Sequence, residues 1–204
     1  MNHIDDIPFL SEKTPCDLPA ATSACDIGKP PVRLPLARAE KLAFQIQAVL
    51  IPFCAPDKCV IAGSIRRRLE TCGDIDIVCE PRDWGGESHQ ALRARIKART
   101  TLIADGVQNL IVSLSDGTQL DIFFTRPRHR ELFDDRPGNF GSLLLCRTGS
   151  VAHNIKLVER AKQLNLRWQP YEGVYRSHEL IASETEAVIF TALNLPFIPP
   201  EERR

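Results

Sequence analysis

"AGSIRRRLETCGDIDIV", residues 62–78, is the stretch on which the fold turns. Side chains alternate between faces along a strand, so Asp74 and Asp76 point one way while Ile75 and Ile77 point the other. The isoleucines mark the buried side. Two carboxylates on the opposite side repel one another unless something positive lies between them. Ahead of them stand Gly63, Ser64 and three consecutive arginines, Arg66 to Arg68. Glycine lets the backbone approach a bound group closely, serine offers a hydroxyl, and a helix starting there would direct free N–H groups at an anion. Arg67, about one helical turn on, carries a planar fork suited to phosphate oxygens.

Working outward, "KCVIAG" (58–63) reads as a short buried strand ended by Gly63, and "LARAEKLAFQIQAVLI" (36–51) as a helix with one buried stripe. Beyond the Asp-Ile-Asp strand and a turn at "PRDWGGES" (81–88), "HQALRARIKART" (89–100) has helical composition with a basic face. "VQNLIVSLSDGTQLDIFFT" (107–125) holds two β-rich runs around Asp116-Gly117, which predicts a hairpin. Asp121 falls in its second strand with Leu120 and Ile122 on the other face. If that strand neighbours residues 74–78, three carboxylates converge on one patch.

Such a patch suits magnesium, which takes oxygen ligands and retains water and substrate phosphates, and suits zinc poorly. Two such ions roughly 3.5–4 Å apart can stabilise both the attacking and the leaving oxygen of a phosphoryl transfer. Asp74, Asp76 and Asp121 are therefore the candidate ligands of two Mg2+ ions, with Mn2+ as a substitute.

Further on, "RPRHRELFDDRPGNFG" (126–141) predicts a loop with short helical pieces. "SVAHNIKLVERAKQLNL" (150–166) reads as an amphipathic helix capped by Ser150, "LRWQPYEGVYR" (166–176) as a small hairpin, and "SETEAVIFTALNL" (183–195) as a short helix. The fold class is α+β: an irregular arm over 1–32, a mixed sheet with flanking helices over 33–142, and a small α/β unit over 143–204.

Composition narrows the function classes. With 43% apolar and 25% charged residues and no long apolar run, the chain reads as a soluble globular protein without a membrane span. The acidic start "MNHIDDIPFL" has no signal-peptide pattern, which predicts a cytoplasmic address. Twenty-six basic residues balance twenty-six acidic ones, arguing against adhesion to nucleic acid by net charge alone. Local basic faces remain at 66–68, 93–99 and 126–130. Seven cysteines in such a chain are read as reduced thiols. Sulfur ligation of a metal is not expected, because Cys54 and Cys59 are five apart and no close Cys or His pair elsewhere supplies the remaining ligands.

"AGSIRRRLETCGDIDIV" resembles the palm of the family X DNA polymerases, the polymerase beta-like branch of the nucleotidyltransferases, nearly position for position. "TQLDIFF" (118–124) is similar to the family's third-aspartate strand, "LLCRTGSVAHN" (144–154) to its nucleotide-binding turn and thumb entry, and "SETEAVIFTALNLPFIPPEERR" (183–204) to the end of the thumb. The resemblance runs from about residue 33 to the C-terminus. It implies a nucleotidyltransferase palm followed by a thumb, with Asp74 and Asp76 binding both metals and Asp121 completing the catalytic ion's shell. It also implies that Ser64, Arg67 and the backbone of Gly73 hold the triphosphate, with Gly63 beside them. Thr148, Gly149 and Ser150 would form the tight turn under the incoming sugar, with a cis Gly-Ser peptide. Asn154 would touch the minor-groove edge of the base pair, and Arg33 would add a phosphate contact.

Three departures stand out. Cys146, itself a nucleotide-side candidate, and Arg147 replace an aromatic pair, which opens the choice of sugar. Val151, Ile155 and Val158 replace polar residues facing template and nucleotide, which opens template dependence. Residues 1–32 are too short for the N-terminal DNA-binding unit of relatives.

The leading expectation is a monomeric enzyme adding nucleotides from nucleoside triphosphates to a primer end or gap in DNA, with release of pyrophosphate, in gap filling or end processing. One alternative keeps the chemistry but changes the acceptor to an RNA end, a protein or a small molecule. Another is an inactive DNA-end binding module, disfavoured because three intact buried acids are costly without an ion or partner.

Overall fold

The computed structural model describes residues 33–131 and 134–203, so the expected arm over 1–32 lies outside the described residues. The chain runs β1 (Leu34–Pro35), α1 (Leu36–Leu50), β2 (Cys54–Ile61), α2 (Gly63–Arg66), β3 (Thr71–Cys72), β4 (Asp74–Pro81), α3 (Glu87–Lys97), β5 (Thr101–Asp105), β6 (Asn109–Ser113) and β7 (Gln119–Phe124). It continues through β8 (His129–Glu131), β9 (Asp134–Arg136), α4 (Phe140–Thr148), α5 (Val151–Gln163), β10 (Arg167–Gln169), β11 (Gly173–Arg176), β12 (Glu179–Ala182) and α6 (Glu186–Ala192).

The main sheet has the order β2-β4-β7-β6-β5. Strands β4 and β7 pair in parallel and their neighbours antiparallel, so the sheet is mixed. Helix α1 buries Ala39, Leu42, Ala43, Ile46, Val49 and Leu50. That i, i+3, i+4, i+7 stripe joins Ile75, Ile77, Leu92 and Ile96 in one core. Each such fully buried leucine or isoleucine contributes on the order of 2 kcal/mol. On the other face, α4 lays Phe140, Leu143 and Leu144 on Val78 and Phe123. One step back along the same two strands, on that same face, stand Asp76 and Asp121.

A second core gathers Leu145, Leu157, Ala161, Trp168, Val174, Ile189 and Phe190 from α4, α5, β10, β11 and α6. Trp168 donates its indole N–H to Ser142 Oγ at 2.9 Å, so the one polar atom of this large side chain is satisfied inside the core. Ser150 caps α5 by accepting from His153 N at 3.2 Å, and Thr185 caps α6 by accepting from Val188 N at the same distance. No helix among the described residues is long and apolar enough to cross a membrane.

Three expectations are corrected. Among the described residues of 126–141, no helix precedes α4; instead β8 and β9 pair antiparallel. The helix α4 and the strands β5 and β12 have no counterpart in the sequence reading. The basic run 93–99 is partly internal: Arg93 is buried, and its guanidinium engages Asp105, which Lys97 also meets at 2.8 Å. These contacts clasp α3 to β5.

Candidate active site

The parallel register of β4 and β7 sets Asp74 against Gln119 and Asp76 against Asp121. The carboxylates of Asp74, Asp76 and Asp121 then bring one oxygen each within 4.8 Å of the other two. Asp121 is only 9% exposed and accepts a hydrogen bond from Gln119 Nε2 at 2.8 Å. Burial, and then the charges of Asp74 and Asp121, push the Asp76 carboxyl up to about 7, against the pull of Arg147 and Arg67. Asp121 is raised as well, mainly by burial. Arg147 and Arg67 do not offset the negative charge gathered here, and three convergent oxygen donors fit a hard divalent cation.

The opposite wall is built by α2, a single turn. Gly63 has φ +59°, and a Cβ there would run into the Asp76 carboxylate, so only glycine lets the turn lie against β4. Because α2 is this short, anion binding would rest on side chains and a few N–H groups rather than on a long helix dipole. Arg67 reaches across and donates to the Thr148 carbonyl at the end of α4. Its neighbour Arg66 turns the other way, giving a two-pronged pair to Glu186 at 2.8 and 2.7 Å and a hydrogen bond to Thr148 Oγ1 at 2.6 Å. Arg203 completes this cluster with a bond to Glu186 at 2.6 Å.

Gly63, Ser64, Arg67, Asp74, Asp76, Cys146, Arg147, Gly149, Ser150, Val151 and Asn154 enclose a cavity of about 200 Å³. Ser64 Oγ, Asn154 Oδ1 and Arg147 Nε are buried without a protein partner, so three of these residues hold hydrogen-bonding capacity beside the cavity. The Gly149–Ser150 peptide is cis. Asn154 Nδ2 donates to the Cys146 carbonyl at 2.8 Å, which fixes α5 against the end of α4.

Four expected site residues are not among those lining the cavity: Asp121, which stays in the carboxylate cluster, and Arg33, Gly73 and Thr148. The Arg33 guanidinium bonds Thr71 Oγ1 and Thr71 O, both at 2.9 Å, and Gly73 lies beside it, outside the residues that enclose the cavity. Thr148 is fully buried, its hydroxyl and carbonyl used by Arg66 and Arg67. Conversely, the site role of Arg147 was missed. Its guanidinium lies 3.8 Å from the Phe123 ring centre and 5.1 Å from that of Tyr171. This places a charge beside the carboxylates, and the only hint in sequence is a cation next to the Thr-Gly-Ser turn. The Arg66–Glu186–Arg203 cluster joins positions too distant in sequence to be associated.

Beside this geometry, residues 33–129 match the family model of the DNA polymerase beta palm and residues 143–204 that of the DNA polymerase beta thumb. The DNA polymerase/3'-5' exonuclease PolX of Bacillus subtilis is 30% identical over 180 residues, covering 87% of this chain and 30% of the relative. This chain thus spans less than a third of that relative's length. Among solved structures, Leishmania infantum polymerase beta in a ternary P/T complex aligns with a TM-score of 0.65 at 15% identity, covering 85% of this chain and 77% of the other. The same polymerase in a ternary gap complex gives 0.66 at 14% identity, covering 84% and 71%. At these identities the structural likeness is one of fold.

Proposed function

Because this chain belongs to the polymerase beta-like family X, by a palm and a thumb that together make up most of its length, we propose that it transfers a nucleotide from a nucleoside triphosphate to the 3'-hydroxyl of a DNA primer end or gap, releasing pyrophosphate. The observation that carries this reading is one cavity with Asp74 and Asp76 on its sheet wall, clustered with Asp121, and a serine and an arginine on its helix wall.

In this reading Asp74 and Asp76 would hold both Mg2+ ions and Asp121 would complete the shell of the catalytic one. When bound, the ions supply charge stabilisation for the attacking and leaving oxygens. The chain's own groups do the rest. Ser64 donates its hydroxyl to a phosphate oxygen, satisfying an Oγ that has no protein partner. Arg67 keeps its fork toward the same oxygens while its bond to Thr148 ties the palm wall to the thumb entry. The Asp76 carboxyl gives up its proton on loading. Gly149 and Ser150 present backbone to the sugar, and Asn154 Oδ1 faces the base with acceptor capacity unspent.

Next to Asn154, the exposed Val151 and Ile155 present an apolar face. A base set on it gains contact area from Val151 and Ile155 but no hydrogen bond from them, which leaves Asn154 Oδ1 as the polar side-chain contact beside that face.

Labelled deoxy- and ribonucleotides incubated with gapped DNA, single-stranded DNA, RNA and protein acceptors test the assignment. Labelling of the DNA 3' end is expected. Label on a non-DNA acceptor alone would overturn it.

A further inference from the structure

Three cysteine sulfurs meet behind the strand that carries the carboxylates. The Sγ atoms of Cys54, Cys59 and Cys79 lie within 4.8 Å of one another, and those of Cys59 and Cys79 are 3.6 Å apart. All three are buried. On a regular strand, residues five apart point to opposite faces, which is why the sequence shows no ligand set here. The backbone changes that parity. The pairing of β2 with β4 shifts register between Cys54 and Cys59, and Asp57 in between takes φ 58°. Both side chains therefore reach Cys79, which stands opposite Cys59 in the ladder.

A core thiol ordinarily fills space as a small hydrophobe. Here the sulfurs address one another. Hydrogen bonds from Cys59 and Cys79 favour an anionic Cys54, whose thiol is lowered, while Cys59 and Cys79 are raised. With its proton on, Cys54 donates to the Leu50 carbonyl at 3.3 Å. Arg82 and His89 act on Cys54 in the same lowering sense. His89 is no ligand in the tautomer its contacts select. Its Nδ1 accepts from Gly85 N at 3.1 Å, so the neutral ring carries its proton on Nε2. That Nε2 is buried without a protein partner, a donor suited to an electron-rich neighbour.

We propose that Cys54, Cys59 and Cys79 bind one thiophilic metal ion, Zn2+ or Cu+, on the face of β4 opposite the carboxylates. Thiolates select such ions over magnesium. Three sulfurs each about 2.3 Å from one ion stand about 4 Å apart, so the observed spacing needs only slight adjustment. Binding replaces S–H bonds by S–metal bonds and releases the protons to solvent, with no change of oxidation state. The ion fastens the edge strand β2, across its irregular register, to the strand that presents Asp74 and Asp76.

The test uses the full chain, reduced and stripped of metal, titrated with Cd2+ alone in excess Mg2+ while the ultraviolet sulfur-to-cadmium charge-transfer band is followed. In parallel, protein from zinc- or copper-supplemented cultures is washed with chelator and assayed for retained metal. Saturation at a single equivalent is expected, weakened about tenfold or more by Cys54→Ser and by Cys79→Ser but unchanged by Asp76→Asn. The culture arm that retains stoichiometric metal identifies the ion. A folded wild-type chain with no cadmium–thiolate band and neither metal retained overturns the proposal, without recourse to any variant. A band that persists at full strength in both folded cysteine variants overturns it equally, since other thiols then account for it.

Discussion

Asp76 and Asp121 stand directly opposite one another in the parallel pairing of β4 and β7, two acids facing across adjacent strands on the same sheet face that α4 covers one step further along. Burial, and then the like charges of Asp74 and Asp121, push the Asp76 carboxyl up to about 7, whereas in an unfolded chain it ionises near 4. Between those values the folded chain keeps a proton that the unfolded chain has released. Stability therefore falls as pH rises through the window.

For the metal-free protein, this group alone is expected to cost up to about 4 kcal/mol between the two ends of that window. Urea unfolding at about pH 5 and about pH 8 measures it. Asp76→Asn should flatten the difference, and Mg2+ should restore stability at the higher pH. A wild-type chain equally stable at both, without metal, would show that the carboxylates do not feel one another.

Gly63→Ala places a methyl group against the Asp76 carboxylate at a backbone position with φ +59°. Strain of about 1–3 kcal/mol is expected, together with displacement of Asp76. Thermal unfolding and nucleotide transfer should both suffer, the second far more than the first. An active, fully stable Gly63→Ala protein would mean that α2 can lift from the sheet at no cost.

Glu186 is buried between two guanidiniums, those of Arg66 and the fully buried Arg203. Burial alone would raise its carboxyl; the paired arginines more than reverse this and hold it below the usual range. Removing it by Glu186→Ala leaves two cations stranded and should cost about 3–5 kcal/mol. The pair's contribution is present above the unfolded carboxyl value and fades as pH falls below it. Denaturant unfolding checks both, and a loss under about 1 kcal/mol would assign the cluster no structural weight.

The carboxylate wall was legible because two strong periodic signals coincide: the alternation around Asp74 and Asp76, and the Asp116-Gly117 turn that delivers Asp121. Ser150 was legible as a cap for the same local reason. Strand β5 was not, since most of its residues are exposed and its pairing with β6 slips, which erases alternation. Helix α4 was missed for the opposite cause. Nearly all its residues are buried, so no stripe stands out against a polar face. The different fates of Arg66 and Arg67 depend on a helix more than a hundred residues away. The cysteine cluster needs both a strand irregularity and a cross-strand neighbour, neither of which spacing reveals.

Extension of a primer across a one-nucleotide gap in Mg2+, compared between wild type and the single variants Asp74→Ala, Asp76→Ala and Asp121→Ala, tests the central claim most directly. Loss of charge stabilisation worth several kcal/mol predicts a drop of roughly a thousandfold or more for each variant, with folding retained. Extension that persists near the wild-type rate in any two of them would contradict the account.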